Sequence, residues 1–95
     1  MENIKILAVC GFGIGSSLIL KMNIGKVLEE DGTQAEVSNT DILTAPSEKC
    51  SFIVTSEGYK RELEGKVSVP VIVVDRFFDK NEIREKINLG IEKIK

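Results

Sequence analysis

The 95-residue sequence contains no histidine and no tryptophan. Without histidine the chain itself can hold no His-dependent triad, no histidine metal ligand and no phosphohistidine. Its aromatic residues are Tyr59 and four phenylalanines, Phe12, Phe52, Phe77 and Phe78, a poor supply for stacking nucleic-acid bases. Thirteen Lys and Arg stand against fifteen Asp and Glu, a formal charge of −2. A nucleic-acid module would instead show a basic stripe or patch, so no nucleic-acid partner is expected. The two cysteines, Cys10 and Cys50, are too few for a disulfide framework and lack metal-ligand spacing, so neither a metal nor another cofactor is expected. No apolar run approaches the roughly 20 residues of a membrane span, and Met1-Glu2-Asn3 lacks the basic start of a signal peptide. These absences lead us to expect a cytoplasmic protein with reduced thiols and no direct insertion into a membrane.

What is present is an alternation of short apolar runs and amphipathic stretches, without repeats or a linker, read as one domain over residues 1–95. Ile4–Val9 is almost continuously apolar, as in a strand buried on both faces of a parallel sheet. A helix is expected from about Ser16, where Leu20, Ile24, Val27 and Leu28 recur at helical spacing, with Asp31-Gly32 closing it. Gly25 inside it suggests close packing. Ala35–Val37 is a shorter, weaker strand candidate, followed by a brief helix ending near Ala45, before Pro46. Cys50–Thr55 and Val69–Val74 read as further strands; Thr55 and Ser56, at a strand's carboxyl end, are placed to border a phosphate pocket, but are read first as caps of the helix that follows. Ile83, Ile87, Ile91 and Ile94 stripe a last helix, which Asp79 and Glu82 open as a capping-box pair. The expectation is an α/β fold, a four-stranded parallel sheet with helices on both faces.

Ligands of open α/β sheets bind beyond the carboxyl ends of strands. At the end of the first strand stands Cys10-Gly11-Phe12-Gly13-Ile14-Gly15-Ser16-Ser17. Alternating glycines let successive backbone amides turn inward as an anion nest, and the helix that follows adds its positive dipole end. Ser16 and Ser17 supply hydroxyl donors or helix caps. A nucleophile thus shares eight residues with an oxyanion cradle, the combination suited to phosphoryl transfer through a phosphocysteine. Cys10 is the expected catalytic residue, with Gly11, Phe12, Gly13, Ile14, Gly15, Ser16 and Ser17 around the phosphoryl oxygens.

Two known nucleotide loops do not fit. The glycine spacing is Gly-x-Gly-x-Gly, unlike the dinucleotide fingerprint, and no lysine follows as in a Walker A loop. Low-molecular-weight tyrosine phosphatases also begin such a loop with cysteine, on the same kind of fold, but in the pattern Cys-x5-Arg-Ser. Here Ser16 stands in the arginine's place, which removes the bidentate clamp on a transferring phosphoryl group. A cysteine phosphatase or arsenate-reductase-like enzyme, or a non-catalytic anion-sensing module, remain the alternative readings of the loop.

The stretch Cys10 to Asn23, with Ala35–Asp41 and Val69–Val73, resembles the IIB components of the bacterial sugar phosphotransferase system (PTS), and within them the ascorbate-type branch of the lactose/galactitol/ascorbate group. Two positions depart from that branch. Phe12 replaces a small polar residue, and Asn39 stands where histidine often precedes Thr-Asp. The resemblance implies that Cys10 accepts a phosphoryl group from the phosphohistidine of a IIA protein. It then passes the group to L-ascorbate or a related sugar or polyol, held by a membrane IIC component. It also implies peripheral association with the membrane through IIC.

Overall fold

The structure is a computed structural model that describes residues 4–10 and 14–95. The apolar run at the start forms strand β1, Ile4–Cys10. It pairs in parallel with β2, Ala35–Asp41, and with β3, Phe52–Thr55, which pairs in turn with β4, Val71–Val73. The sheet order is β2-β1-β3-β4. Because β1 has a strand on each side and helices over both faces, Ile6, Leu7, Ala8 and Val9 are all buried. Their unbroken apolar character follows from that position.

Helix α1, Ile14–Asp31, and helix α3, Lys80–Ile94, cover one face. There Leu20, Ile24, Val27, Ile83 and Ile87 close over Ile6, Ala8, Phe52 and Val54, with Ile91 and Ile94 at the margin. Helix α2, Glu57–Glu64, covers the other, where Leu63 and Ala45 join Leu7, Val9 and Ile53. The expected four-stranded parallel sheet with helices on both faces is therefore present. Among the described residues no helix is long and apolar enough to cross a membrane.

Helix α1 ends in a Schellman motif. The Gly32 amide donates to Glu29 O at 3.2 Å and the Thr33 amide to Leu28 O at 2.9 Å, with Gly32 at φ 65°. An added Cβ at Gly32 would meet nothing within 4 Å, so only the left-handed backbone penalises a side chain there. Gly32→Ala is expected to lower stability by about 1 kcal/mol, read as a lower denaturation midpoint at unchanged slope. Beyond this turn, Glu30 meets Lys80 at 2.6 Å and Arg84 at 2.7 Å, and Asp31 meets Arg84 at 3.0 Å. The Lys80 hydrogen bond leads in holding the Glu30 carboxyl below its ordinary value. This exposed brace between α1 and α3 is therefore in place above the usual carboxylate range, and is lost as the pH falls through the lowered value.

Several boundaries differ from the sequence expectation, each for a local reason. β2 extends over seven residues, not three. It is an edge strand whose outer half carries Ser38, Asn39 and Thr40, so its apolar signal fades while pairing with β1 continues to Cys10↔Asp41. β3 starts at Phe52, because the Ser51 hydroxyl accepts from the Lys5 amide at 2.9 Å and so takes a donor the ladder would use. β4 is limited to Val71–Val73, with Pro70 lending only its carbonyl, to the Ile53 amide. In place of a helix ending at Ala45, residues Ala45–Ser47 form one 3₁₀ turn. Pro46 sits in its first turn, where a missing N–H is tolerated. Asp79 caps α3 by accepting from the amides of Asn81 and Glu82. Glu82 does not complete a capping box, since its carboxylate accepts instead from the amides of Asp75 and Arg76.

Candidate functional site

In the order β2-β1-β3-β4 the chain leaves β1 in one direction to β2 and in the other to β3. The crevice at the carboxyl ends of β1 and β3 is thus the switch point at which doubly wound sheets bind ligands. Cys10 is the last residue of β1, beside that crevice. It is partly buried and its thiol is free. Ile6 and Ala8 face the α1–α3 layer, and strand alternation puts Cys10 on the same side.

Helix α1 begins at Ile14, four residues after the thiol. The expected start near Ser16 was too late, and Ser16 and Ser17 are its third and fourth residues, not its cap. The first amides of a helix have no partner within it and carry the positive end of its dipole. No acidic side chain lies in the first turn of α1 to offset that end. Gly11, Phe12 and Gly13 lie outside the described residues, as do the side chains of Ile14, Gly15 and Ser16.

Ser17 is buried at 2% exposure. Its Oγ accepts from Asn39 Nδ2 at 3.3 Å. Asn39 lies opposite Ala8 in the β1–β2 register. Thr55 is fully buried at the end of β3, and its hydroxyl donates to Val9 O at 2.8 Å. The expected capping role of Thr55 is thereby corrected. Ser56 holds the N-cap position of α2, and its side chain makes no capping bond. Asp41, across from Cys10, accepts from the Thr44 amide at 2.7 Å. That bond leads in keeping its carboxyl below the usual range.

Sequence reasoning singled out Cys10 and Ser17 but did not anticipate the bonds that Asn39 makes to Ser17 and Thr55 to Val9. The available signal was polarity in phase with an apolar face. Asn39 continues the alternation of Ala35 and Val37, which border the α1–α3 core, and Thr55 ends the buried run Phe52–Val54.

The other cysteine and the paired phenylalanines fall elsewhere. Cys50 precedes β3 at the amino end of the sheet, where Ser51 bonds to Lys5. It is separated from Cys10 by the length of β1, and burial pushes its thiol up. It therefore does not serve Cys10 as a resolving thiol. Phe77 packs against the core, whereas Phe78 is 77% exposed. Asn23 of α1 donates to Phe77 O at 2.6 Å, tying this loop to α1. A groove of ≈ 460 Å³ follows the outer edge of β4, between Glu57, Lys60 and Glu64 of α2 and Lys86, Leu89 and Lys93 of α3. Cys10, Ser17 and Thr55 take no part in it. Among the described residues no three His, Cys, Asp or Glu side chains gather as a metal site.

A family model for lactose/cellobiose-specific IIB subunits of the PTS matches residues 5–89. A Mycoplasma pneumoniae protein described as an ascorbate-specific PTS system EIIB component is 25% identical over 89 residues, covering 92% of this chain and 94% of that protein. The solved lactose-specific IIB domain from Streptococcus pneumoniae superposes with a TM-score of 0.71. It covers 99% of this chain and 100% of its own, at 12% identity, a likeness of fold.

Proposed function

Given that the chain belongs to the lactose/cellobiose-specific IIB family of the sugar phosphotransferase system, whose members are phosphotransferases working with IIA and IIC components, we propose that Cys10 is its phosphoryl acceptor and L-ascorbate or a related polyol its sugar. The observation that carries this reading is the free thiol of Cys10 at the switch point, four residues before the start of α1.

In the first step the Cys10 thiolate attacks the phosphorus of a phosphohistidine on the IIA partner. The S–P bond forms as the N–P bond breaks, and the imidazole leaves with the bonding pair and takes up a proton. In the second step a sugar hydroxyl, held by the IIC component, attacks the same phosphorus. The S–P bond breaks, the thiolate returns, and the hydroxyl proton passes to a base or water. Amides at the start of α1, with those of Gly11 to Gly13 and the hydroxyls of Ser16 and Ser17, would hold the phosphoryl oxygens. With serine in place of arginine at position 16, the loop binds the group without the cationic clamp that activates it toward water. Residues 1–95 act as one EIIB domain at the cytoplasmic face, reaching the membrane through IIC.

The sugar assignment draws on the resemblance of the loop and on the described specificity of the Mycoplasma pneumoniae relative. It is tested by phosphorylating the protein with labelled IIA and adding vesicles that carry IIC. Label is expected to discharge onto L-ascorbate and to stay on the protein with lactose or cellobiose. Discharge onto lactose or cellobiose instead would reject this sugar class and leave the relay itself standing.

A further inference from the structure

Two side chains from the strands flanking β1 meet the backbone and the hydroxyl that border the reactive thiol. On the β3 side the Thr55 hydroxyl donates to Val9 O at 2.8 Å. Thr55 and Val9 are both 0% exposed. The β1–β3 register stops at Ala8↔Val54, so this bond fastens the strands one residue past the ladder, at the switch point. The Val9 carbonyl and the Cys10 amide belong to one rigid peptide plane. Anchoring the carbonyl therefore sets the direction in which the chain enters Cys10.

On the β2 side Asn39 Nδ2 donates to Ser17 Oγ at 3.3 Å. The bond ties the first turns of α1 to β2 at the level of Ala8. Packing alone does not ask for polarity at either place. Valine has nearly the shape of threonine, and an apolar residue at 39 would extend the face of Ala35 and Val37. Buried polar groups are costly unless bonded. Thr55 is such a buried group and is bonded, while Asn39 is partly buried and bonds to the buried Ser17; both bonds end on the segment that carries Cys10 and opens α1.

We propose that Thr55 and Asn39 are positioning residues for phosphoryl transfer at Cys10, Thr55 by fixing the Val9–Cys10 peptide and Asn39 by fixing Ser17. The inference rests on the reading of Cys10 as the acceptor. Neither residue touches the reacting atoms. Each holds a group that does, or that leads into it, within the narrow tolerance in-line transfer requires. Misplacement by about 1 Å can cost two orders of magnitude in rate.

The test is single-turnover phosphorylation by phosphohistidine-bearing IIA across a range of IIA concentrations, for the parent, Thr55→Val, Thr55→Ser and Asn39→Ala. The saturating rate is expected to fall about tenfold or more in Thr55→Val and Asn39→Ala. The half-saturating IIA concentration should stay unchanged, because neither change alters an exposed docking residue. Thr55→Ser keeps the hydroxyl and should recover most of the rate. A folded Thr55→Val with the parent's rate would overturn the role of Thr55, as would a loss that Thr55→Ser does not recover. An unchanged Asn39→Ala would overturn that of Asn39. Should Thr55→Val fail to fold, Thr55→Ser and Asn39→Ala decide, since a parental rate in Asn39→Ala or a collapsed rate in Thr55→Ser contradicts the proposal. A parent protein that accepts no phosphoryl group at Cys10 overturns the functional reading and this inference with it, whereas an active parent with unaffected variants overturns the inference alone.

Discussion

Cys10→Ala is expected to reduce phosphoryl acceptance from IIA to background while leaving the fold intact. Removing a nucleophile that forms the covalent intermediate takes away the reaction path itself. Losses of about 10⁴-fold or more are usual when a catalytic nucleophile is removed. The structural cost should be small, because Cys10 is only partly buried and ends its strand. Its side chain lies outside the tight cluster formed by Ile6, Ala8, Phe52 and Val54. Cys10→Ser tests the chemistry more finely. A serine hydroxyl at that place is far less ionised than a thiol near neutral pH, so the rate should drop steeply even though the side chain is nearly the same size. Cys50→Ala is the matched control. Cys50 neighbours Lys5 at the other end of β1, about 17 Å from Cys10 at 3.3 Å per residue, and acceptance should be unaffected. Undiminished labelling of Cys10→Ala would remove the basis of the proposed function.

The second large effect concerns stability and runs against helix propensity. Gly90 is a buried position of α3, where helix propensity alone would favour alanine by about 1 kcal/mol. Its missing side chain is filled by the ring of Phe52. A Cβ at Gly90 would stand 2.5 Å from Phe52 Cε2 and 2.7 Å from Cδ2 and Cζ, separations that real Cβ atoms do not adopt. Phe52 is fully buried among residues of β1, α1 and α3, so the ring has little room to yield. Gly90→Ala is therefore expected to destabilise the fold by about 2–3 kcal/mol, an overpacking cost that outweighs the propensity gain. Denaturant titration should show a lower midpoint. Phe52→Leu added to Gly90→Ala should recover part of the loss, with a coupling of more than about 0.5 kcal/mol between the two sites. A Gly90→Ala protein more stable than its parent would mean that α3 does not approach β3 as described.

The glycine that the sequence marks for close packing, Gly25, meets only ordinary contact, with Val37 Cγ1 3.9 Å from an added Cβ. The tight place is at Gly90, because it depends on a ring from a strand 38 residues earlier in the chain, and helical periodicity holds no record of such a partner. The same limit explains the other differences. β1 was legible because burial on both faces leaves a continuous apolar run, and α1 because Leu20, Ile24, Val27 and Leu28 repeat at helical spacing. β2 was legible only in its first three residues, since an edge strand needs apolar side chains on part of one face. The stretch Cys10–Ser17 stands out in the sequence because its cysteine, glycines and serines are consecutive in the chain. The side chains that bond to β1 and α1 on either side of it, Thr55 and Asn39, arrive from two other strands, and only the register of the sheet brings them beside Val9 and Ser17. Thr55 in particular reads equally well as a cap for α2 until its hydroxyl is seen to donate to Val9 O.

The most direct measurement is to phosphorylate the protein with phosphohistidine-bearing IIA and locate the added group by fragmentation mass spectrometry, under conditions that preserve a thiophosphate ester. The account predicts one phosphoryl group on the sulfur of Cys10, absent from Cys10→Ala and retained in Cys50→Ala. A phosphoryl group on Ser16, Ser17 or any other residue, with Cys10 unmodified, would contradict it.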